Sequence, residues 1–183
     1  MLSAADQQRL LALARLALEA RVRRDGEPIP DVEGTLANRY GAFVTIHRGE
    51  ILRGCLGRVG CDMRLADAIV HLAGAVADSD PRFPPVDLLE LDALEIEISV
   101  LTPAREIASL ADIEIGRHGL IVERGSRRGL LLPQVATEQG WTVEQFVEHT
   151  CVKAGLAGDA WRNGARIFAF EAQVFGEATA ILS

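Results

Sequence analysis

The sequence predicts an α+β fold with antiparallel or mixed sheets. Two observations lead there. β-rich runs stand in pairs across turn-forming residues, and helical runs lie apart from them rather than alternating with single strands. With 183 residues, 49% of them hydrophobic, the chain can also bury a real core in one domain or two small lobes.

The elements follow in chain order. Residues 3–23 are predicted helical, with Ser3 as N-cap and Asp6 in the first turn. Leu10, Leu13, Leu16, Ala17 and Ala20 mark the inner face, and Arg9, Arg15, Glu19 and Arg23 the outer one. Asp25-Gly26, Pro28 and Pro30 stop it. "GAFVTIH" (41–47) and "ILRGCLGRV" (51–59) form a hairpin across "RGE". Asp62 caps a helix over about 63–78, with Leu65, Ile69, Leu72 and Val76 inward. "DSDPRFPPV" stops that helix, and Pro84-Pro85 is a candidate cis bond. "LEIEISVL" (94–101) is a strand ended by Pro103. "GLIVERGSRRGLLLP" (119–133) is a second hairpin. Thr142 and Gln145 form a capping box for a helix to Lys153, closed by Gly155. "ARIFAFEAQVFGE" is the last strand. Loops around 24–34 and 79–87 are candidate separators of two lobes.

The net charge of −7 argues against nucleic-acid binding through overall charge. Only Lys153 among the nineteen basic residues is a lysine, a bias that suggests a GC-rich bacterial genome. Cys55, Cys61 and Cys151 are an odd set without a secretory pattern before them, which predicts free thiols in the cytoplasm. The apolar runs are too short for a membrane span. The Cys and His spacings match no zinc site, and "GRVG" is neither a Walker loop nor a dinucleotide fingerprint, so no metal or cofactor is expected.

The stretch "LRGCLG" (52–57) places a thiol between glycines. By strand alternation Arg53, Cys55 and Gly57 share one face, and Leu52, Gly54 and Leu56 the other, where the leucines enter a core. On that placement Arg53 favours the Cys55 thiolate, while Gly54 and Gly57 permit a close approach to the backbone. The alternative is a small buried cysteine with glycines serving sheet packing. Glu95, Glu97 and Ser99 share a strand face; the two carboxylates serve acid–base chemistry or bind a cation there, within a side chain's reach of Arg53, or the face is simply solvated. His118, between Gly116 and Gly119, is either a base for the thiol or a water-exposed turn histidine. The proline-rich loop either presents Arg82 and Phe83 to a ligand or ends a helix with Phe83 buried. Arg124, Arg127 and Arg128 form a basic hairpin tip.

"LRGCLG" resembles the Leu-Arg-Gly-Cys-Ile-Gly hallmark of the AMMECR-type domain family, with Leu56 replacing Ile. The segments "GAFVTIHRGEILRGCLG", "DPRFPPV", "LEIEISVLTP", "GRHGLIVERGSRRGLLLPQVA" and "EQFVEHTCVKAGL" resemble the family's in its order, over nearly the whole chain. The resemblance implies a single domain over 1–183, made of two α/β lobes with the hallmark near a cleft between them. Bacterial members are labelled AmmeMemoRadiSam system protein A. That label implies a Memo-like protein and a radical S-adenosylmethionine enzyme as partners, and an activity not yet established. Two functions follow. One is an enzyme or enzyme component with Cys55 as nucleophile or redox thiol, His118 as base, Arg53 as charge stabiliser and Glu95 or Glu97 as orienting carboxylates. The other is a non-catalytic module that docks a peptide, nucleotide or partner protein in the same cleft.

Overall fold

The computed structural model describes residues 2–60 and 62–177. The chain divides into two compact units. Unit 1 takes the described part of Met1–Leu101 and Gln173–Ser183, and unit 2 takes Thr102–Ala172.

Unit 1 begins with α1 (Ala4–Arg23). Its start is a capping box: Ser3 Oγ accepts from the Asp6 N–H, and the Asp6 carboxylate from the Ser3 N–H. It ends at Arg24, which takes the left-handed conformation (φ 61°), just before the Asp25-Gly26 stop expected from sequence. The buried stripe is Leu10, Leu11, Ala14, Ala17 and Leu18. Leu16, expected inward, is 57% exposed. Arg15, expected outward, is half-buried and donates to the carbonyls of Leu91 and Leu94 and to the Glu177 carboxylate.

Strands β1 (Gly41–Arg48) and β2 (Ile51–Arg58) form the expected hairpin. Gly49 makes the turn with φ 60°. β1 also pairs antiparallel with β3 (Glu95–Leu101), so the order is β2-β1-β3. Ala42, Val44, Ile46, Ile96, Ile98 and Val100 face a core shared with α1 and with α2 (Leu65–Ala75). The expected inner face of α2 holds, since Leu65, Ile69, Leu72 and Val76 are buried. Its cap does not: the N-cap is Arg64, without a side-chain bond, and Asp62 pairs with Arg58 instead. No peptide bond is cis among the described residues, Pro84-Pro85 included.

In unit 2 the strand pairing is again antiparallel. β5 (His118–Arg124) pairs with β6 (Arg127–Leu131) and with β7 (Arg166–Gly176), the last strand, whose end from Gln173 onward belongs to unit 1. The short β4 (Arg105–Glu106), not foreseen from sequence, also pairs with β7. The hairpin turn is Gly125-Ser126, flanked by the exposed pair Arg124 and Arg127, with Arg128 next along β6. Arg128 pairs with Glu123, and Arg127 donates to the Gly155 carbonyl. A short helix, α3 (Pro133–Glu138), precedes α4 (Val143–Lys153), which carries the expected Thr142–Gln145 capping box and ends before Gly155 (φ 73°). Phe146, Val147 and Cys151 of α4 pack with Leu120, Val122 and Ile167.

Candidate functional site

The site is built from β2, β1 and the proline-rich loop of unit 1. β2 is the outer member of β2-β1-β3. The N–H of Cys55 points away from β1, because it donates to Asp80 Oδ2 at 2.9 Å. Cys55 and its partner Thr45 are therefore a non-hydrogen-bonded cross-strand pair, the kind that brings side chains closest. Thr45 Oγ1 donates to Cys55 Sγ at 3.2 Å. On its other side Thr45 stands opposite Glu97 of β3. Cys55, Thr45 and Glu97 thus form one row across the sheet, on the face away from the helices, and all three are half-buried.

The loop after α2 locks this row from outside. Asp80, 4% exposed, lies beside β2. Its Oδ1 accepts from the Arg82 N–H (3.1 Å) and Nε (2.9 Å), and its Oδ2 from Arg82 Nη2 (2.7 Å) and the Cys55 N–H. Four donors satisfy a buried carboxylate. The Arg82 bonds, opposed by burial and reinforced by the backbone donors, hold the Asp80 carboxyl well below the usual carboxylate range. Arg82 Nη2 also reaches the Cys55 carbonyl at 3.4 Å. The Arg82 guanidinium stands 5.3 Å from the Phe83 ring centroid, and Phe83 is half-buried.

Arg53 has a different task from the expected one. It donates through Nε and Nη2 to Glu90, and through Nη1 and Nη2 to the carbonyls of Pro84 and Pro85. Its partner is therefore Glu90, not Glu95 or Glu97, which corrects the sequence expectation. Arg53, and then the Asp87 N–H, lower the Glu90 pKa. The physical reason for the change is a bulge. Ile46 opposes Gly54 and His47 opposes Leu52, so Arg53 is the extra residue and strict alternation fails there. The same shift leaves Leu52 37% exposed instead of in the core, while Leu56 packs against it as expected.

The glycines prove to be packing positions. A Cβ on Gly57 would lie 2.0 Å from the Phe43 ring, and one on Gly54 would lie 3.1 Å from Val76 Cγ2. The space beside the thiol strand is already filled at both. Glu95 is exposed, opposite His47. His118 belongs to unit 2 and is 5% exposed, not a water-exposed turn residue; its Nδ1 accepts the Glu114 N–H at 3.0 Å. Cys151 is buried in the unit 2 core, and burial pushes its thiol pKa up. Cys61 lies outside the described residues.

Sequence reasoning missed Thr45, Asp80 and Glu90. The signal for Asp80 was its place directly before Pro81 in the loop already singled out. The other two show only through cross-strand register and a contact 37 positions away. Among the described residues no three His, Cys, Asp or Glu side chains gather to hold a metal, and no helix is long and apolar enough to cross a membrane.

Fold and site define a class: an α+β protein of two antiparallel units, with a half-buried thiol on a strand clamped by a proline-rich loop. The chain belongs to the AMMECR1 family, whose model matches residues 11–175. It is 45% identical to a protein of Methanothermobacter thermautotrophicus over 96% of both chains. It is 43% identical to one of Thermofilum pendens, over 97% of this chain and 92% of that one. The crystal structure of an uncharacterized protein, PH0010, from Pyrococcus horikoshii matches with a TM-score of 0.80 and 41% identity, over 92% of this chain and 89% of that one. These relatives are archaeal, and they lend no support to the bacterial source suggested by composition.

Proposed function

We propose that unit 1 carries a thiol-dependent reaction site in which Cys55 attacks an electrophilic carbon. The sulfur–carbon bond forms as the leaving group departs with its electron pair. The observation that supports this is the Thr45 hydroxyl donating to a half-buried sulfur. A donor aimed at Sγ fixes the position of the sulfur beside the strand. Family membership supports a wider setting for the same reading: component A of a cytoplasmic AmmeMemoRadiSam-type system, acting with a Memo-like protein and a radical S-adenosylmethionine enzyme.

A second reading, a docking module for a peptide, nucleotide or protein, has one observation in its favour. The side-chain partner of Sγ is a hydroxyl, not a base such as His118. Alkylation of the folded protein, quantified by mass spectrometry at fixed pH, separates the two. Cys55 is expected to react faster than buried Cys151, with Thr45→Val slowing it several-fold and Thr45→Ser restoring it. If Cys55 stays unmodified until the protein unfolds, the nucleophile reading falls and the docking module stands.

A further inference from the structure

Arg82 is fixed in place yet open. Its side chain is 56% exposed, while the carboxylate that orients it is almost wholly buried. Asp80 takes Nε and Nη2, and Nη2 also leans on the Cys55 carbonyl. These bonds engage one edge of the guanidinium and leave Nη1, the other terminal nitrogen, with no bond to protein among the described residues. A guanidinium held along one edge is a preorganised donor for a second anion, because its planar fork loses little freedom on binding. Arg53, the other arginine near the strand, is 13% exposed and fully engaged by Glu90 and two carbonyls, so it offers no such donor. Arg82 Nη2 lies 3.4 Å from the carbonyl of the same residue that carries the thiol, so guanidinium and sulfur belong to one site.

We infer that the electrophile taken by Cys55 carries an anionic group, a carboxylate or a phosphate, and that Arg82 is the residue that selects it. This rests on the nucleophile reading above and adds the substrate's charge to it. The chain's net charge of −7 works against any anion that approaches, so a preference for one must be local to this arginine.

Iodoacetate and iodoacetamide make the test. They differ by a carboxylate against a neutral amide, and with each the sulfur–carbon bond forms as iodide leaves. The measurement is the ratio of their alkylation rates at Cys55, against the same ratio for N-acetylcysteine amide. The expected result is a ratio at least fivefold above that reference. It should fall toward the reference in Arg82→Gln, recover in part in Arg82→Lys, and decline in wild type as salt rises. The salt series needs no variant, so it stands even if Arg82→Gln leaves Asp80 unpaired and unfolds the loop. If Cys55 reacts with both reagents at the reference ratio, Arg82 selects nothing and this inference is overturned while the nucleophile reading survives. If Cys55 reacts with neither, the nucleophile reading itself fails, and the inference with it.

Discussion

Asp80 Oδ2 accepts the backbone N–H of Cys55 at 2.9 Å and Arg82 Nη2 at 2.7 Å. One oxygen thereby joins the strand that carries the thiol to the loop that carries the cation. That junction makes stability depend on pH in a definite direction. The Asp80 carboxyl is held below the ordinary range when folded. A depressed folded pKa adds stability that is fully present above the unfolded value, about 4, and is lost as pH falls toward the folded one. Wild type should therefore lose denaturation midpoint steadily below about pH 4. Asp80→Asn should be less stable at pH 7, with the gap to wild type narrowing as pH falls. Urea melts between pH 7 and pH 3 measure both.

Arg53→Leu should destabilise the protein without slowing the thiol. It takes the Arg53 donor from the Glu90 carboxylate, which keeps only the Asp87 N–H, and from the Pro84 and Pro85 carbonyls. Removing one partner of a half-buried ion pair should cost about 1–3 kcal/mol, less than for a fully buried pair. The Cys55 alkylation rate in the folded variant should stay within about twofold of wild type, since Sγ is served by Thr45. The unfolding midpoint and the alkylation rate, measured on one preparation, check the two halves separately.

Two glycines should differ in what they tolerate. At Gly57 an added methyl meets the Phe43 ring, part of a half-buried side chain that can swing aside. At Gly129 it meets the Ala154 backbone nitrogen at 2.3 Å, where β6 lies against the end of α4. Overpacking costs roughly 1–3 kcal/mol where neighbours give way, and more where they cannot. Gly57→Ala should fall in that range. Gly129→Ala should be clearly worse by urea denaturation.

Leu18→Ala should cost about 2–5 kcal/mol, as a fully buried leucine does, and Leu16→Gln should stay within about 0.5 kcal/mol of wild type. Thermal melts of the two variants decide it.

The α1 leucines show how far the sequence could be read. Helix, cap and length were legible, because Ser3 and Asp6 act within one turn. The buried face was not, because the apolar positions of α1 fit two overlapping stripes. Only the packing of α1 against α2 and the sheet selects Leu11 and Leu18 over Leu16. The hairpin, β3 and the Thr142 helix were legible for the same local reasons. β4 has two residues and owes its existence to β7, so nothing local announces it. At the site, Cys55 was found through its glycines, although the space beside them holds Phe43 and Val76 rather than a ligand. Arg53 was misassigned because alternation was carried through a bulge that appears only once β1 and β2 are in register. Arg82 was named from its proline-rich loop, and Asp80, two residues before it, orients it locally; what spacing does not encode is the Asp80 bond to the Cys55 N–H, 25 positions away.

The clamp on Cys55 has a last consequence, for the chain's behaviour in crowded solution. Among the described residues β2 has no strand on its outer side, and such a strand offers its N–H and C=O groups as a template for another chain. Asp80 and Arg82 occupy both groups of Cys55, at the middle of that template. An intruding strand would have to displace a buried carboxylate before it could extend the ladder past Cys55. The loop therefore acts as a stopper against edge-to-edge polymerisation, and a chain with Asp80 removed should form β-rich aggregates at concentrations where wild type stays dispersed.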